Sequence, residues 1–123
     1  MANVLFIDDD VTLRQALAKH LARAGHAVRE AGNGVDGLRE QARAGADVVV
    51  VDIFMPGQGG LQTIDQLRRA FPGVKIVAIT GVATGALDAE GHALALGADR
   101  FLRKPFDAAA LVAVVDALAA ELP

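Results

Sequence analysis

The stretch Val48-Val49-Val50-Val51-Asp52 is an apolar run that ends abruptly on a carboxylate. Four consecutive β-branched residues are typical of a strand buried on both faces, such as the central strand of a parallel sheet. The residues from Ile53 to Gly60, which include Pro56 and several glycines, predict a loop before the next helix. Because ligands of open α/β sheets bind at the carboxyl ends of the strands, Asp52 is a candidate functional residue. A carboxylate beside buried valines needs a cation or hydrogen-bond donors.

The rest of the chain alternates short apolar runs with amphipathic segments. Strands are predicted at 4–7, 26–31, 48–52, 74–80 and 99–104, and helices at about 11–24, 35–43, 61–71, 86–96 and 108–122. Five strand–helix units, (βα)5, predict an α/β fold with a doubly wound five-stranded parallel sheet and right-handed crossovers. The second strand is short and polar, which indicates a position near an edge of the sheet.

Length and composition narrow the class of protein. The 123 residues, 53% of them hydrophobic, suit one globular domain spanning 1–123. A net charge of −3 argues against a nucleic-acid-binding surface, and the lack of cysteine excludes disulfides, thiolate metal sites and cysteine nucleophiles. No apolar run approaches the roughly 20 residues of a membrane span, and the start resembles no signal peptide, so we expect a cytoplasmic protein without membrane contact.

Polar groups follow four of the five predicted strands: Asp8-Asp9, Asp52, Thr80 and Lys104. All carboxyl ends of a parallel sheet lie at one edge, so these groups are expected to converge. Three neighbouring carboxylates repel each other, and a divalent cation resolves that repulsion. Hard oxygen ligands without histidine or cysteine favour Mg²⁺.

The same groups suit phosphoryl transfer. Asp52 can attack phosphorus and form an acyl phosphate, Thr80 can donate to a phosphoryl oxygen, and Lys104 can pair with another. Taken singly, each group has an ordinary structural interpretation, such as a helix cap, a turn or a strand end; the joint pattern favours the functional one. His20, His26 and His92 lack ligand spacing and are not expected to act as metal ligands or bases.

Over its full length the sequence resembles the receiver domain of two-component response regulators, including the chemotaxis receivers. The matching pieces are Asp8-Asp9, Asp52 followed by Met55-Pro56-Gly57, Thr80-Gly81, and Lys104-Pro105 preceded by Phe101. The resemblance implies a flavodoxin-like fold with strand order 2-1-3-4-5. It also implies phosphorylation of Asp52 by a sensor histidine kinase or a histidine phosphotransfer protein.

The resemblance further assigns roles to single residues. It implies that Asp9, Asp52 and the backbone carbonyl of Phe54 hold Mg²⁺, with Asp8 acting mainly through a water molecule. Thr80 would move toward the phosphoryl group, and Phe101 would follow from an exposed to a buried position. Lys104 would be placed by a cis peptide bond to Pro105. The chemistry would be limited to accepting the phosphoryl group and losing it, so this is a switch rather than an enzyme.

The sequence departs from the family pattern in the loop after Asp52. The family often has an aspartate where this chain has Gly59, which predicts a flexible loop. Phe54 and Val82 stand where family members often carry polar groups that assist an attacking water. Their apolar side chains lead us to hypothesise slow self-dephosphorylation.

Two surfaces are candidate partner sites. The resemblance points to the fourth helix, fifth strand and fifth helix as the output face, for a downstream protein or a second copy of the chain. The last helix carries mostly small apolar residues on its expected outer face: Ala109, Val112, Ala113, Ala119 and Ala120. Simple alanine-rich composition explains that pattern equally well.

On the first helix, Arg14, Gln15 and Ala18 are expected to be exposed and to help select the kinase. No effector domain follows Leu122-Pro123 in this sequence, so output through another protein or a phosphorelay is expected.

Three other functions compete with the receiver interpretation. A haloacid-dehalogenase-type phosphatase would need a second aspartate two residues after the nucleophile, where this chain has Phe54. A flavin-binding protein would need a phosphate-binding loop after the first strand rather than carboxylates. A phosphate-independent interaction domain would not need the complete set of acceptor residues found here.

Overall fold

The computed structural model describes residues 1–55, 59–81 and 89–123, which form five strands and five helices in alternation. The strands are β1 (Asn3–Ile7), β2 (Ala27–Ala31), β3 (Val48–Asp52), β4 (Lys75–Thr80) and β5 (Arg100–Arg103). The helices are α1 (Val11–Arg23), α2 (Gly34–Arg43), α3 (Gly60–Ala70), α4 (Ala89–Leu96) and α5 (Ala108–Ala120). These bounds agree with the predicted ones to within a few residues. The predicted start of α4, at residue 86, lies outside the described residues.

All strands join one parallel sheet in the order β2-β1-β3-β4-β5. This confirms the flavodoxin-like (βα)5 fold, and it places β2 at an edge as its polar sequence predicted. Asp52 pairs with Ile79 of β4, and Thr80 pairs with Arg103 of β5. The register therefore brings the last residues of β3, β4 and β5 to the same edge of the sheet.

The central strand β3 is buried along its whole length, because both faces of the sheet are covered. Val49 and Val51 pack into a core with α3, and Val48 and Val50 pack into a second core with α1 and α5. Burying each valine contributes about 1.5–3 kcal/mol. The strand that carries Asp52 is thus held from both faces of the sheet.

Asp10 and Asp107 begin the helices that flank the site edge. The Asp10 carboxylate accepts a hydrogen bond from Leu13 N (3.0 Å) and caps α1, and Asp107 caps α5 through Ala110 N (2.9 Å). Gly25, with a φ of +100°, follows the end of α1. In the described part of the chain, no helix has the length and apolar character to cross a membrane.

Some predicted packing positions differ from the structure. Helical periodicity over 35–43 predicts Leu38 and Ala42 toward the core, but Ala42 is exposed, and Gln41 is buried in its place. The Gln41 side chain forms hydrogen bonds with both N and O of Ala46, which explains why a polar residue is buried there. On α5, Val112 and Ala119 pack against the core, whereas Ala109, Ala113 and Ala120 are exposed as predicted.

Candidate functional site

Three carboxylates meet at the carboxyl edge of the sheet. Asp8 and Asp9 follow β1, Asp52 ends β3, and one oxygen from each lies within 4.8 Å of the others. Asp8 is fully buried and Asp52 is 4% exposed, whereas Asp9 faces solvent. The convergence expected from the sequence is therefore present for these three residues.

Asp52 is held by donors from two directions. Its Oδ1 accepts a hydrogen bond from Phe54 N (3.0 Å), so the backbone of Phe54 adjoins the cluster. Its Oδ2 lies 3.3 Å from the Lys104 ammonium, which reaches across from the end of β5. The peptide bond between Lys104 and Pro105 is cis.

Asp8 is the least satisfied group of the cluster. Its Oδ1 accepts from Asp10 N (2.9 Å), but its Oδ2 is buried and has no hydrogen-bond partner among the described residues. Burial raises the pKa of the Asp8 carboxyl to about 6; the Asp10 N–H opposes that rise and the nearby Asp52 carboxylate adds to it. A buried oxygen that has no hydrogen-bond donor and lies next to a second carboxylate is a position where a further cation is strongly favoured.

The residues present fit a divalent cation with a preference for oxygen ligands. The cluster contributes only carboxylates, and in the described part of the chain no hydrogen bond or ion pair engages the Asp9 carboxylate. The three histidines lie elsewhere. His20 and His92 are exposed on α1 and α4, and His26 is buried at the opposite end of the sheet. This donor set is typical of Mg²⁺ rather than of zinc.

Thr80 and Phe101 stand near the cluster but outside it. Thr80 ends β4 and is buried, and its carbonyl accepts a hydrogen bond from Lys104 N (2.7 Å). Phe101 lies in β5 opposite Ala78 and packs against the core while staying partly exposed. The guanidinium of Arg103 lies 5.8 Å from the Phe101 ring centroid, within the range of a cation–π interaction.

Two residues important for the site geometry were not identified from the sequence. Gly60 begins α3 directly beneath β3, and a Cβ there would lie 2.2 Å from the Asp52 carbonyl oxygen. Arg14 was expected on the solvent side of α1. Instead its side chain is only 13% exposed, and it donates to the carbonyl oxygen of Asp8 (2.6 Å). The tandem glycines after Asp52 were a signal for the close approach at Gly60. No local pattern in the sequence indicated the contact of Arg14.

The structure also bears on the expectations for Ala18 and Gly59. Ala18, expected to help select a kinase, is buried at 7% exposure and cannot contact a partner. Gly59 occupies the N-cap position of α3 without a side-chain cap, and a Cβ built there would meet nothing within 4 Å. An aspartate would have space at this position. Val82, the other apolar residue expected to exclude a water, lies outside the described residues.

His26 lies away from this site, before the start of β2. Its Nδ1 accepts a hydrogen bond from Ala2 N (3.1 Å), so its Nε2 carries the proton donated to Asp116 Oδ1 (2.7 Å). The buried imidazole therefore links the start of β1 to α5. Its function is structural.

Comparison with known proteins identifies the family. The sequence model of the response regulator receiver domain family matches residues 4–116 of this chain. The chain is 36% identical over 115 residues to the DNA-binding transcriptional regulator NtrC of Azospirillum brasilense, covering 94% of this chain and 24% of that protein. It is equally similar to the probable transcriptional regulatory protein SilR of Salmonella typhimurium, of which it covers 50%. The chain thus spans a quarter to a half of these relatives.

Solved structures give the same result over nearly the whole chain. The receiver domain of NtrX from Brucella abortus superposes with a TM-score of 0.87 at 29% identity, covering 94% of this chain and 97% of that domain. A response regulator receiver domain protein from Clostridium thermocellum gives a TM-score of 0.89 at 29% identity, covering 98% and 96%. The chain belongs to the response regulator receiver domain family of two-component signalling.

Proposed function

We propose that this receiver accepts a phosphoryl group on Asp52, in a reaction that depends on Mg²⁺, and passes the signal to a protein partner. The observation that carries the proposal is the meeting of the Asp52 carboxylate with the Lys104 ammonium, at 3.3 Å, beside two further carboxylates. This combination of nucleophile, cation and metal-ligand set is what phosphoryl transfer to a carboxylate requires. Receivers of this family interact with histidine kinases, which supports a phosphohistidine as the donor.

The transfer itself requires one bond to form and one to break. An oxygen of Asp52 attacks the phosphorus of the donor phosphohistidine, the P–N bond breaks, and the electron pair stays with the imidazole. The product is an acyl phosphate on Asp52. Lys104, already beside Oδ2, pairs with the added negative charge, and the Thr80 hydroxyl donates to a phosphoryl oxygen.

Asp9, Asp52 and the backbone carbonyl of Phe54 would hold Mg²⁺, and Asp8 would act mainly through a water molecule. When bound, Mg²⁺ supplies neutralisation of the charge shared by the carboxylates and the transferring group. The chain's own contribution is to hold Asp8 and Asp52 out of solvent, so that their charges are not dispersed by water. The unpartnered Oδ2 of Asp8 supports this assignment.

The output is a change in the face formed by α4, β5 and α5. Thr80 moves toward the phosphoryl group and leaves space behind it. Phe101, which is partly exposed in the structure, then becomes buried in that space. The altered face binds a downstream protein or a second copy of the chain. The exposed Ala109, Ala113 and Ala120 on α5 suit such a surface, because little desolvation of charge is required there.

Several broader assignments accompany this function. The receiver domain spans 1–123 and acts in the cytoplasm, with a sensor histidine kinase or a histidine phosphotransfer protein as its phosphoryl donor. It contacts neither nucleic acid nor membrane directly. Its chemistry is confined to self-phosphorylation and self-dephosphorylation, and loss of the phosphoryl group is slow because Phe54 and Val82 exclude an attacking water.

The test is the mass of the intact protein after incubation with acetyl phosphate, with and without Mg²⁺. We expect one phosphoryl adduct that requires Mg²⁺ and is absent from Asp52→Asn. Asp47→Asn is the matched control, because Asp47 lies just before the opposite end of β3 and its carboxylate accepts a hydrogen bond from Asn3 N at 2.9 Å. If wild type forms no adduct with acetyl phosphate or with a phosphohistidine donor, the proposal is wrong and the domain is a phosphate-independent docking module.

The competing phosphatase function has a distinct signature. It would need a proton donor two residues after Asp52, and the apolar Phe54 ring, which is 53% exposed, cannot supply one. We therefore expect no more than one p-nitrophenol released per protein molecule from p-nitrophenyl phosphate during the lifetime of the phosphoryl adduct, because the phosphoryl group stays on Asp52. Repeated turnover would favour the phosphatase instead.

A further inference from the structure

Arg14 connects three parts of the molecule near the acid cluster. It lies in the first turns of α1, yet its side chain turns back toward the end of β1. Its Nη1 donates to the Asp8 carbonyl oxygen at 2.6 Å, and its Nε donates to Glu30 Oε1 of β2 at 2.9 Å. The guanidinium therefore bridges the peptide after Asp8 to the neighbouring edge strand.

The peptide group that Arg14 holds is the one between Asp8 and Asp9. A peptide unit is planar, so fixing the direction of the Asp8 carbonyl also fixes the direction of the bond to the Asp9 Cα. The remaining restraints act on Asp8: its N donates to Ala31 O (3.1 Å), and its Oδ1 accepts from Asp10 N (2.9 Å). In the described part of the chain no other contact orients the Asp9 carboxylate.

Glu30 determines where the guanidinium lies. The Glu30 carboxylate fixes the Nε side of the planar fork, which leaves Nη1 aimed at the carbonyl. A Cβ at Gly32 would lie 3.5 Å from Nη1, an ordinary contact distance, so the guanidinium packs beside this residue without requiring a glycine there. Arg14 is thus held in one orientation by groups outside the acid cluster.

We propose that Arg14 is a positioning residue for the metal site: by holding the Asp8–Asp9 peptide, it keeps the Asp9 carboxylate aimed at the point shared with Asp8 and Asp52. This inference rests on the proposed function, because it concerns the binding of Mg²⁺ to that cluster. Arg14 touches neither the ion nor the phosphoryl group. Its contribution is orientation of a ligand through the backbone, which for groups outside the coordination shell is worth on the order of ten- to a hundredfold in metal affinity.

Positioning and simple electrostatics predict opposite results for this residue. A guanidinium near the carboxylates repels a divalent cation, so removing its charge would tighten Mg²⁺ binding if charge alone mattered. If Arg14 positions Asp9, removing it weakens Mg²⁺ binding despite the loss of repulsion. The sign of the change in affinity therefore separates the two roles.

The experiment is isothermal titration calorimetry of Mg²⁺ into the unphosphorylated protein, with urea unfolding in EDTA to show that each variant is folded. We expect Arg14→Gln to weaken binding by about tenfold, and Arg14→Lys, which keeps the charge but not the planar fork, to weaken it less. Arg23→Gln removes the same charge from the exposed far end of α1 and should leave the affinity unchanged. Asp9→Asn provides the reference for the loss of a ligand.

Glu30→Gln keeps the test decisive if Arg14→Gln does not fold. Alone, it should weaken Mg²⁺ binding modestly, and in the Arg14→Lys background it should have less effect, because the two residues act through one contact. Equal effects of Glu30→Gln in both backgrounds would contradict the positioning role. So would an unchanged or tighter affinity in Arg14→Gln, with Asp9→Asn still impaired, and the proposed function would then remain intact. If wild type bound no Mg²⁺, both proposals would be wrong.

Discussion

The ammonium of Lys104 lies 3.3 Å from Asp52 Oδ2 and 3.9 Å from Asp8 Oδ2, so one cation serves two buried carboxylates. The contact spans the ends of β1, β3 and β5, and β4 separates β5 from β3 in the sheet. One positive charge only partly offsets two negative ones, and the pKa of the Asp8 carboxyl stays raised to about 6. The metal-free site is therefore electrostatically strained, and a cation or an added donor group relieves it.

Lys104→Met should destabilise the metal-free protein, because it leaves Asp52 and Asp8 without their shared cation. Since Lys104 is about a quarter exposed, solvent screens part of the interaction, and we expect a loss of roughly 1–2 kcal/mol in the free energy of unfolding. Urea unfolding in EDTA at neutral pH measures this. Lys19→Met, an exposed lysine on α1, should have little effect, and an equal loss in both variants would contradict the interpretation.

Asp8→Asn should stabilise the metal-free protein at neutral pH. The Asp8 carboxyl has a folded-state pKa of about 6 against an ordinary value of 3.8, so the folded state binds more protons between these values and wild type loses stability as pH rises through that window. Asparagine does not titrate. The advantage of the variant should therefore be small near pH 4 and grow to roughly 1–3 kcal/mol above pH 6.

Urea unfolding in EDTA across that pH range provides the measurement. Asp65→Asn is a suitable control, because Asp65 lies on the surface of α3 and its carboxylate pairs with Arg69. Addition of Mg²⁺ should reverse the order and favour wild type. A pH-independent difference between Asp8→Asn and wild type would contradict the raised pKa of Asp8.

Gly60→Ala and Gly59→Ala should differ sharply although the residues are adjacent. A Cβ at Gly60 would lie 2.2 Å from the Asp52 carbonyl oxygen, so α3 must move away from β3, at a cost of about 1–3 kcal/mol or more. A Cβ at Gly59 meets nothing, and its φ of −69° suits any residue, so that variant should be neutral or up to about 1 kcal/mol more stable. Thermal unfolding of both variants checks this, and similar Tm values would show that the contact at Gly60 is not rigid.

Phe54→Gln should shorten the lifetime of the phosphorylated protein. The Phe54 backbone N donates to Asp52 Oδ1, so this residue adjoins the phosphorylation site. Replacing its apolar side chain by an amide offers a group that can orient a water, which we expect to accelerate hydrolysis about tenfold or more. The decay of the phosphoryl adduct, followed by intact mass after removal of the donor, gives the rate. Phe54→Leu keeps the position apolar and should decay like wild type; equally fast decay of wild type and the Gln variant would refute slow self-dephosphorylation.

The sequence predicted the features that follow from regular elements. Apolar runs such as Val48 to Val51 located the strands, and the shared edge of parallel strands brought Asp8, Asp9, Asp52 and Lys104 together as expected. The strand order came from the family resemblance, since periodicity alone does not order strands.

The errors concern side chains whose environment depends on tertiary contacts. Helical periodicity placed Arg14 on the solvent side, but its long side chain reaches back to a carbonyl that only the folded β1 presents. Likewise Gln41 is buried because the backbone of Ala46 needs a partner, and Gly60 is required because α3 docks closely under β3. Each of these partners lies outside the helix concerned, so the helical pattern of the sequence does not reveal it.

The complete burial of β3 has a mechanical consequence. The strand packs against a core on each face and pairs with a strand on each side, so the position of Asp52 is tightly restrained. Lys104, the partner of Asp52 in this ion pair, directly follows β5. This is a short strand with a single neighbouring strand and partly exposed side chains. The β5 end of this contact, at the margin of the sheet, is therefore easier to displace than the β3 end.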